Sequence, residues 1–295
     1  MSGGRSVVVT GANKGIGLVT VLELARAGFT VFGTTTSEEK ADGLRETAAR
    51  AGLQVQTAVC DVSDAAATEE AFGKIAAATG GGPWAVVNNA GFAQGGAIED
   101  VTDEQARHQL EVNLVAPARI ARLVLPSMRQ RGDGRIVNVS SSGGKVSEPL
   151  LGWYNGSKFA LESISDSLRM EVGQFGVKVV LIEPGGFSSG IWDRGVNELP
   201  SPENSAYSYA FVDELPEYVN GLPSPEPVAR TVRKALTVAK PKPRYLVGAD
   251  AKAIVALDAM LPDRVMDWMK SVRFGLLTPQ TVPGRITAKV LAKLF

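Results

Sequence analysis

The sequence predicts an α/β protein: a single doubly wound domain with a mostly parallel seven-stranded sheet, helices on both faces and a C-terminal helical extension. Three observations lead there. Short runs rich in β-branched residues alternate with helical patterns from the N-terminus onward, the pattern of parallel strands joined by helices. The longest apolar runs, such as VKVVLI at 177–182, are strand-sized and fall well short of the ~20 residues a membrane-spanning helix needs. The first strand also ends in a glycine-rich turn that opens a helix.

The elements follow in order. SVVVT reads as a strand over Ser6–Thr10, and the helix opened by the glycine turn runs over Ile16–Ala27. TVFGT, Thr30–Thr34, is the second strand, with a helix over Ser37–Ala51; LQVQTA, Leu53–Ala58, is the third, with a helix over Asp64–Thr79. WAVVN, Trp84–Asn88, is the fourth. Thr102 and Gln105 form a capping-box pattern that opens a long helix over Asp103–Arg131. RIVNVS, Arg135–Ser140, precedes a helix over Tyr154–Phe175. The sixth strand is Val177–Glu183, and a helix over Pro225–Ala239 leads to the last, Arg244–Val247.

Between Gly185 and Pro227 the regularity fails in a stretch dense in Gly, Pro, Ser and aromatic residues, the mark of a functional or a disordered insert, and 186–227 is read as the substrate loop of a domain spanning 1–250. The extension, 251–295, carries LDAMLPDRVMDWMKSVRFGLL. It reads as a core or interface helix, with a substrate lid or a peripheral membrane contact as the alternatives that a basic amphipathic helix allows.

Thirty-one basic and thirty-one acidic residues cancel, without long blocks of one sign, which argues against a nucleic-acid partner and for a small neutral one. A single cysteine, Cys60, excludes an internal disulfide framework. With the start MSGGRSVVV lacking the pattern of a secretory signal, a reducing cytoplasm is the expected setting.

The turn VVVTGANKGIG places glycines at 11, 15 and 17. Gly11 suits the tight turn, Gly15 a close approach of backbone to a phosphate, and Gly17 close packing. The new helix, entered through Asn13, Lys14 and Ile16, offers free N–H groups to a dinucleotide pyrophosphate. The spacing is GxxxGxG rather than GxGxxG. Here the chain resembles the short-chain dehydrogenase/reductase family, whose TGxxxGIG motif is matched by residues 10–17. Two further motifs follow in the family's order. CDVSD brings Asp61 and Val62, similar to the adenine-side Asp-Val, and NNAG at 88–91 brings Asn89, Ala90 and Gly91. The resemblance implies a Rossmann fold and a nicotinamide cofactor.

An NAD site commonly carries a carboxylate at the end of the second strand, about 20 residues past the glycines, to bind the ribose hydroxyl. This strand ends VFGTTTSEE, with Thr35, Thr36 and Ser37 as hydroxyl donors and Lys14 as a nearby charge, so NADP(H) is expected over NAD(H). Glu38 and Glu39, if folded inward, would reverse that preference.

Pro117 lacks the N–H that the carbonyl of Asn113 would otherwise accept, so a kinked helix with a bound water is expected there. LEVNL resembles the family's catalytic-asparagine segment, which implies that Asn113 holds a proton-relay water. Ser141 stands thirteen residues before Tyr154, the family's interval for a catalytic serine. Carbonyl reduction needs a proton donor beside the nascent alkoxide: Ser141 would bond that oxygen and Tyr154 would protonate it. Lys158, one helical turn on, shares the face of Tyr154 and is placed to favour its phenolate. By itself a Tyr/Lys pair at this spacing is also what a solvated helix carries. IEPGGFSSG is similar to the family's PG motif, which implies cofactor contacts from Pro184, Gly185 and, in place of the usual threonine, Ser189. The sole histidine, His108, has no partnering metal ligands in the sequence and reads as a packing residue.

The tail further resembles the 17β-hydroxysteroid-dehydrogenase-like and retinol-dehydrogenase-like branch. The expected activity is interconversion of an alcohol with a ketone or aldehyde on an apolar substrate, given Phe187, Ile191, Trp192 and Phe211 in the loop. A ketoacyl-thioester reductase and a non-catalytic NADP-binding regulator are the alternatives. Helices 103–131 and 154–175 resemble the pair through which this family often forms homodimers or homotetramers.

Overall fold

A computed structural model describes residues 5–191, 199, 205–207 and 220–276. Seven strands form one sheet: β1 (Ser6–Val9), β2 (Thr30–Thr35), β3 (Gln56–Val59), β4 (Ala85–Asn88), β5 (Gly134–Val139), β6 (Val177–Pro184) and β7 (Arg244–Val247). Their spatial order is β3-β2-β1-β4-β5-β6-β7 and every pairing is parallel, so the expected architecture holds.

Parallel strands buried on both faces need two cores, and two are present. On one face Val7, Val9, Val87 and Ile182 pack with α1 (Gly15–Arg26) and α7 (Glu226–Thr237). On the other, Val8, Val86, Ile136 and Val179 pack with α3 (Ala65–Ala78), α5 (Ala116–Arg131) and α6 (Gly152–Gly173). The remaining helices are α2 (Glu38–Arg50), α4 (Asp103–Leu110), α8 (Ala249–Met260) and α9 (Asp263–Arg273).

Three boundaries depart from the sequence expectation for identifiable reasons. The third strand begins at Gln56, not Leu53, because α2 closes through Gly52, at φ 69°, with Leu53 N–H bonded back to the Ala48 carbonyl. The long helix Asp103–Arg131 is not continuous. It widens into a π-helical turn at Glu111–Val115, where Ala116 N–H donates to the Glu111 carbonyl five residues back. The proline at 117 thus produces a bulge, one of the known responses to a missing helical donor. The tail pattern splits at Pro262, which caps α9 and cannot continue α8. No helix among the described residues is long and apolar enough to cross a membrane.

Candidate active site

The carboxyl ends of β1 and β4 meet where the chain order reverses, the position at which open parallel sheets form a binding crevice. Thr10 and Asn89 brace the two strand ends together. The main-chain N–H groups of Asn89 and Ala90 both donate to Thr10 Oγ1 at 3.0 Å, and Asn89 Nδ2 donates to the carbonyls of Thr10 (2.9 Å) and Gly11 (3.1 Å). Glycine is required at 17 by proximity: a Cβ there would lie 2.1 Å from the Gly11 carbonyl oxygen. Gly15 has φ +54° and lies against the backbone of Ser189, where a Cβ would be 2.3 Å from the Ser189 oxygen. The turn therefore keeps a backbone-lined cradle open at the start of α1, and its residues fit a dinucleotide phosphate.

Gly11, Asn13, Lys14, Ile16, Gly17, Thr35, Thr36, Asp61, Val62, Asn89, Ala90 and Gly91 line one wall of a cavity of about 810 Å³. Asp61 Oδ1 accepts from Ser63 N–H (2.9 Å) and Ser63 Oγ (2.7 Å), and the Val62 carbonyl accepts from the buried Arg119. At the end of β2, Thr35 Oγ1 donates to the Ser37 carbonyl, while Lys40 Nζ donates to Thr36 Oγ1 at 2.8 Å. Lys40 was not legible as a site residue, because it lies inside a helix, but it brings a cation to the rim. Glu38 and Glu39 are exposed, and Glu38 pairs with Arg45 at 3.7 Å.

The opposite end holds the hydroxyls and the lysine. Ser141 sits just past β5, its Oγ accepting from Gly143 N–H at 3.0 Å and hydrogen-bonded to the Tyr154 phenol. Tyr154 and Lys158 lie on the inner face of α6, both buried. Lys158 Nζ donates to the Val139 carbonyl at 2.9 Å and stands 5.8 Å from the centroid of the Tyr154 ring. Burial dominates both groups. It pushes the phenol up to about 12, against the Ser141 hydrogen bond, and the ammonium down to about 8, against the pull of Glu162. Burial, the Ser141 hydrogen bond and the Glu148 charge set the phenol, in that order of weight.

Asn113 lies behind the cavity wall, not on its surface. Its Oδ1 accepts from Phe92 N–H (3.2 Å), and its Nδ2 donates to the Phe92 carbonyl (3.0 Å) and Ser157 Oγ (3.1 Å). Gln109, one turn earlier, makes a parallel clamp on the Phe92 carbonyl and Gln94 N–H. Sequence reading missed Gln109, and also Asn155, which fastens the turn before α6: it accepts from Glu148 N–H and donates to the Gly143 carbonyl.

Pro184, Gly185 and Ser189 cross the cavity mouth with Phe187 and Ile191, and Asp250 of α8 accepts from Gly186 N–H at 2.6 Å. Ala253, Ile254 and Leu257 of α8 add an apolar wall. His108 reaches the wall and packs tilted on Phe92, with ring centroids 5.2 Å apart. Trp192 and Phe211 lie outside the described residues.

A dinucleotide cradle that opens directly onto a buried phenol, a hydroxyl and an amine belongs to an oxidoreductase that works with a nicotinamide cofactor. The model for short chain dehydrogenases matches residues 5–198, and the chain belongs to that family. It is 34% identical over 274 residues to an NADPH-dependent 3-dehydrocapnine reductase of Ornithobacterium rhinotracheale, covering 89% of this chain and 95% of that one. It is 31% identical over 284 residues to retinol dehydrogenase 7 of Mus musculus, covering 90% and 87%, which supports the retinol-dehydrogenase-like branch. A solved short-chain dehydrogenase from Streptomyces avermitilis superposes with a TM-score of 0.76 at 33% identity, over 92% of this chain and 99% of the other.

Proposed function

We propose that the protein reduces an apolar ketone or aldehyde with NADPH, with Ser141, Tyr154 and Lys158 at the reacting carbonyl and Asn113 behind them. The observation that carries this reading is the single cavity that joins the glycine turn, the Ser141–Tyr154 pair and the apolar wall of Phe187, Ile191, Ile254 and Leu257. The glycine turn, Asp61, Asn89 and the Pro184–Ser189 segment would hold the cofactor, which when bound supplies the hydride. The remaining chemistry belongs to the chain. Ser141 holds the carbonyl oxygen, Tyr154 gives it a proton, and the Lys158 charge offsets the phenolate left behind. Asn113, fixed on the π-helical turn, supports the path by which that proton is replaced. The α8–α9 segment covers the substrate end, and exposed Phe159, Ile164 and Met170 on α6 support pairing of two copies.

The NADP preference rests on the threonines, on Lys40 and on the outward pairing of Glu38. The test is oxidation of NADPH and NADH against a panel of ketones, aldehydes and acyl thioesters. Turnover of apolar ketones with NADPH at least about tenfold preferred over NADH is expected, and Lys40→Ala should erase most of that margin by weakening NADPH alone. NADPH binding without turnover on any substrate would refute the enzyme mechanism.

The pH dependence has a definite sign. Tyr154, pushed up to about 12, keeps its proton across the neutral range, whereas Lys158, held down at about 8, loses its charge above that pH. Reductive kcat/KM should be level below about pH 8 and fall above it. In Lys158→Arg, whose guanidinium stays charged, the fall near pH 8 should vanish even though the rate is lower throughout.

A further inference from the structure

The turn between Gly144 and α6 carries a carboxylate into the substrate end of the cavity. Glu148 lines the wall with Tyr154 and the apolar residues of α8. It is part-buried, and among the described residues its carboxylate receives no hydrogen bond and forms no ion pair. Arg273 lines the same cavity, and Lys270 is engaged with Asp258 at 2.9 Å.

This placement is built rather than incidental. Glu148 N–H donates to Asn155 Oδ1 at 3.1 Å, and Asn155 Nδ2 donates to the Gly143 carbonyl at 3.0 Å, so one fully enclosed amide ties Glu148 to both the Ser141 turn and the residue after Tyr154. Two residues on, Leu150 is the only non-glycine residue among those described with positive φ, at 61°. Backbone held in that region by its surroundings is characteristic of functional sites. Burial raises the Tyr154 phenol, and the Glu148 charge adds to that rise. Burial pushes Glu148 itself up, against the pull of Arg273 and Lys270.

A part-buried carboxylate beside the apolar wall of Ile254 and Leu257 is costly when a neutral chain covers it and favourable when a cation does. We propose that Glu148 recognises a protonated amine next to the reacting carbonyl, so that the preferred substrate is a long-chain amino ketone. Ser141 and Tyr154 hold the oxygen, Glu148 holds the neighbouring ammonium, and the α8 wall takes the alkyl chain. The nitrogen does not react: the carbonyl carbon takes the hydride and its oxygen the Tyr154 proton. The proposal rests on the carbonyl-reduction reading above.

The test pairs a long-chain 2-aminoalkan-3-one with the alkan-3-one of equal length. Wild type should favour the amino ketone in kcat/KM by about 30-fold, the scale of one charge-assisted contact. Glu148→Gln should lower kcat/KM for the amino ketone by a similar factor, mainly through KM, and raise it for the plain ketone. Glu148→Asp should restore part of the preference. Equal losses on both substrates, or a wild type that does not discriminate, would overturn the proposal. So would an Arg273→Gln variant that reproduces Glu148→Gln, because the carboxylate would then serve only to latch α9. Calorimetric binding of the corresponding amino alcohol and plain alcohol to the enzyme with NADP separates this inference from the reduction reading. Discrimination lost in Glu148→Gln supports the site even if no ketone is turned over, and its absence in wild type refutes the site even if ketones are reduced.

Discussion

Tyr154→Phe should lower kcat for carbonyl reduction by about a thousandfold while leaving NADPH affinity within a factor of two or so. The ring is buried in α6 and its hydroxyl meets Ser141, so the substitution removes one oxygen and its hydrogen bond without opening a cavity in the core. The stability change should stay near about 1 kcal/mol, the net worth of a single hydrogen bond, and thermal unfolding will check that the variant is folded. What disappears is a phenol that is protonated at neutral pH and positioned by a rigid helix beside a second hydroxyl. Ser141 cannot substitute, because an aliphatic hydroxyl is a weaker acid than a phenol. Single-turnover measurement with NADPH in excess distinguishes this loss from slow product release. Turnover within threefold of wild type would exclude Tyr154 as the proton donor.

The same residues show what a sequence can and cannot disclose. The parallel sheet and the dinucleotide turn were legible because parallel strands announce themselves by apolar runs and because the glycine turn fixes where the first helix starts. Tyr154 and Lys158 were legible as a pair because helical spacing alone puts them on one face. Pro117 announced a disturbance, but not its form. Whether a missing donor yields a kink, a water or a π-helical turn depends on how Phe92, Gln109 and Ser157 pack around Asn113, and those contacts span up to 44 residues of sequence. Lys40, Asn155 and Glu148 stayed hidden for a related reason. Each is an ordinary polar residue in its own segment and acquires a role only through a neighbour that the fold supplies. Spacing puts the lysine beside the phenol but says nothing about desolvation, which dominates both groups.

Gly17→Ala should abolish NADPH binding at micromolar concentrations and lower the melting temperature, whereas Gly156→Ala, the same change on another helix, should do neither. The difference lies in what a new Cβ would meet. At 17 it would sit 2.1 Å from the Gly11 carbonyl oxygen and 2.6 Å from Asn89 Nδ2, the backbone and the amide that hold β1 to β4. Neither can withdraw cheaply: the Asn89 amide is bonded to Thr10 and Gly11, and α1 is packed on α7 through the core. The helix must shift outward, which costs about 1–3 kcal/mol by overpacking alone and moves the N–H groups that would face a pyrophosphate. At 156, exposed on α6 inside YNGSK, a Cβ meets nothing within 4 Å, and alanine should stabilise the helix by about 1 kcal/mol. Calorimetric titration with NADPH and thermal denaturation of both variants provide the measurement. Retained affinity in Gly17→Ala would mean that the cofactor does not depend on the closeness of α1 to the Gly11 turn, and would remove the structural basis for placing its phosphates there.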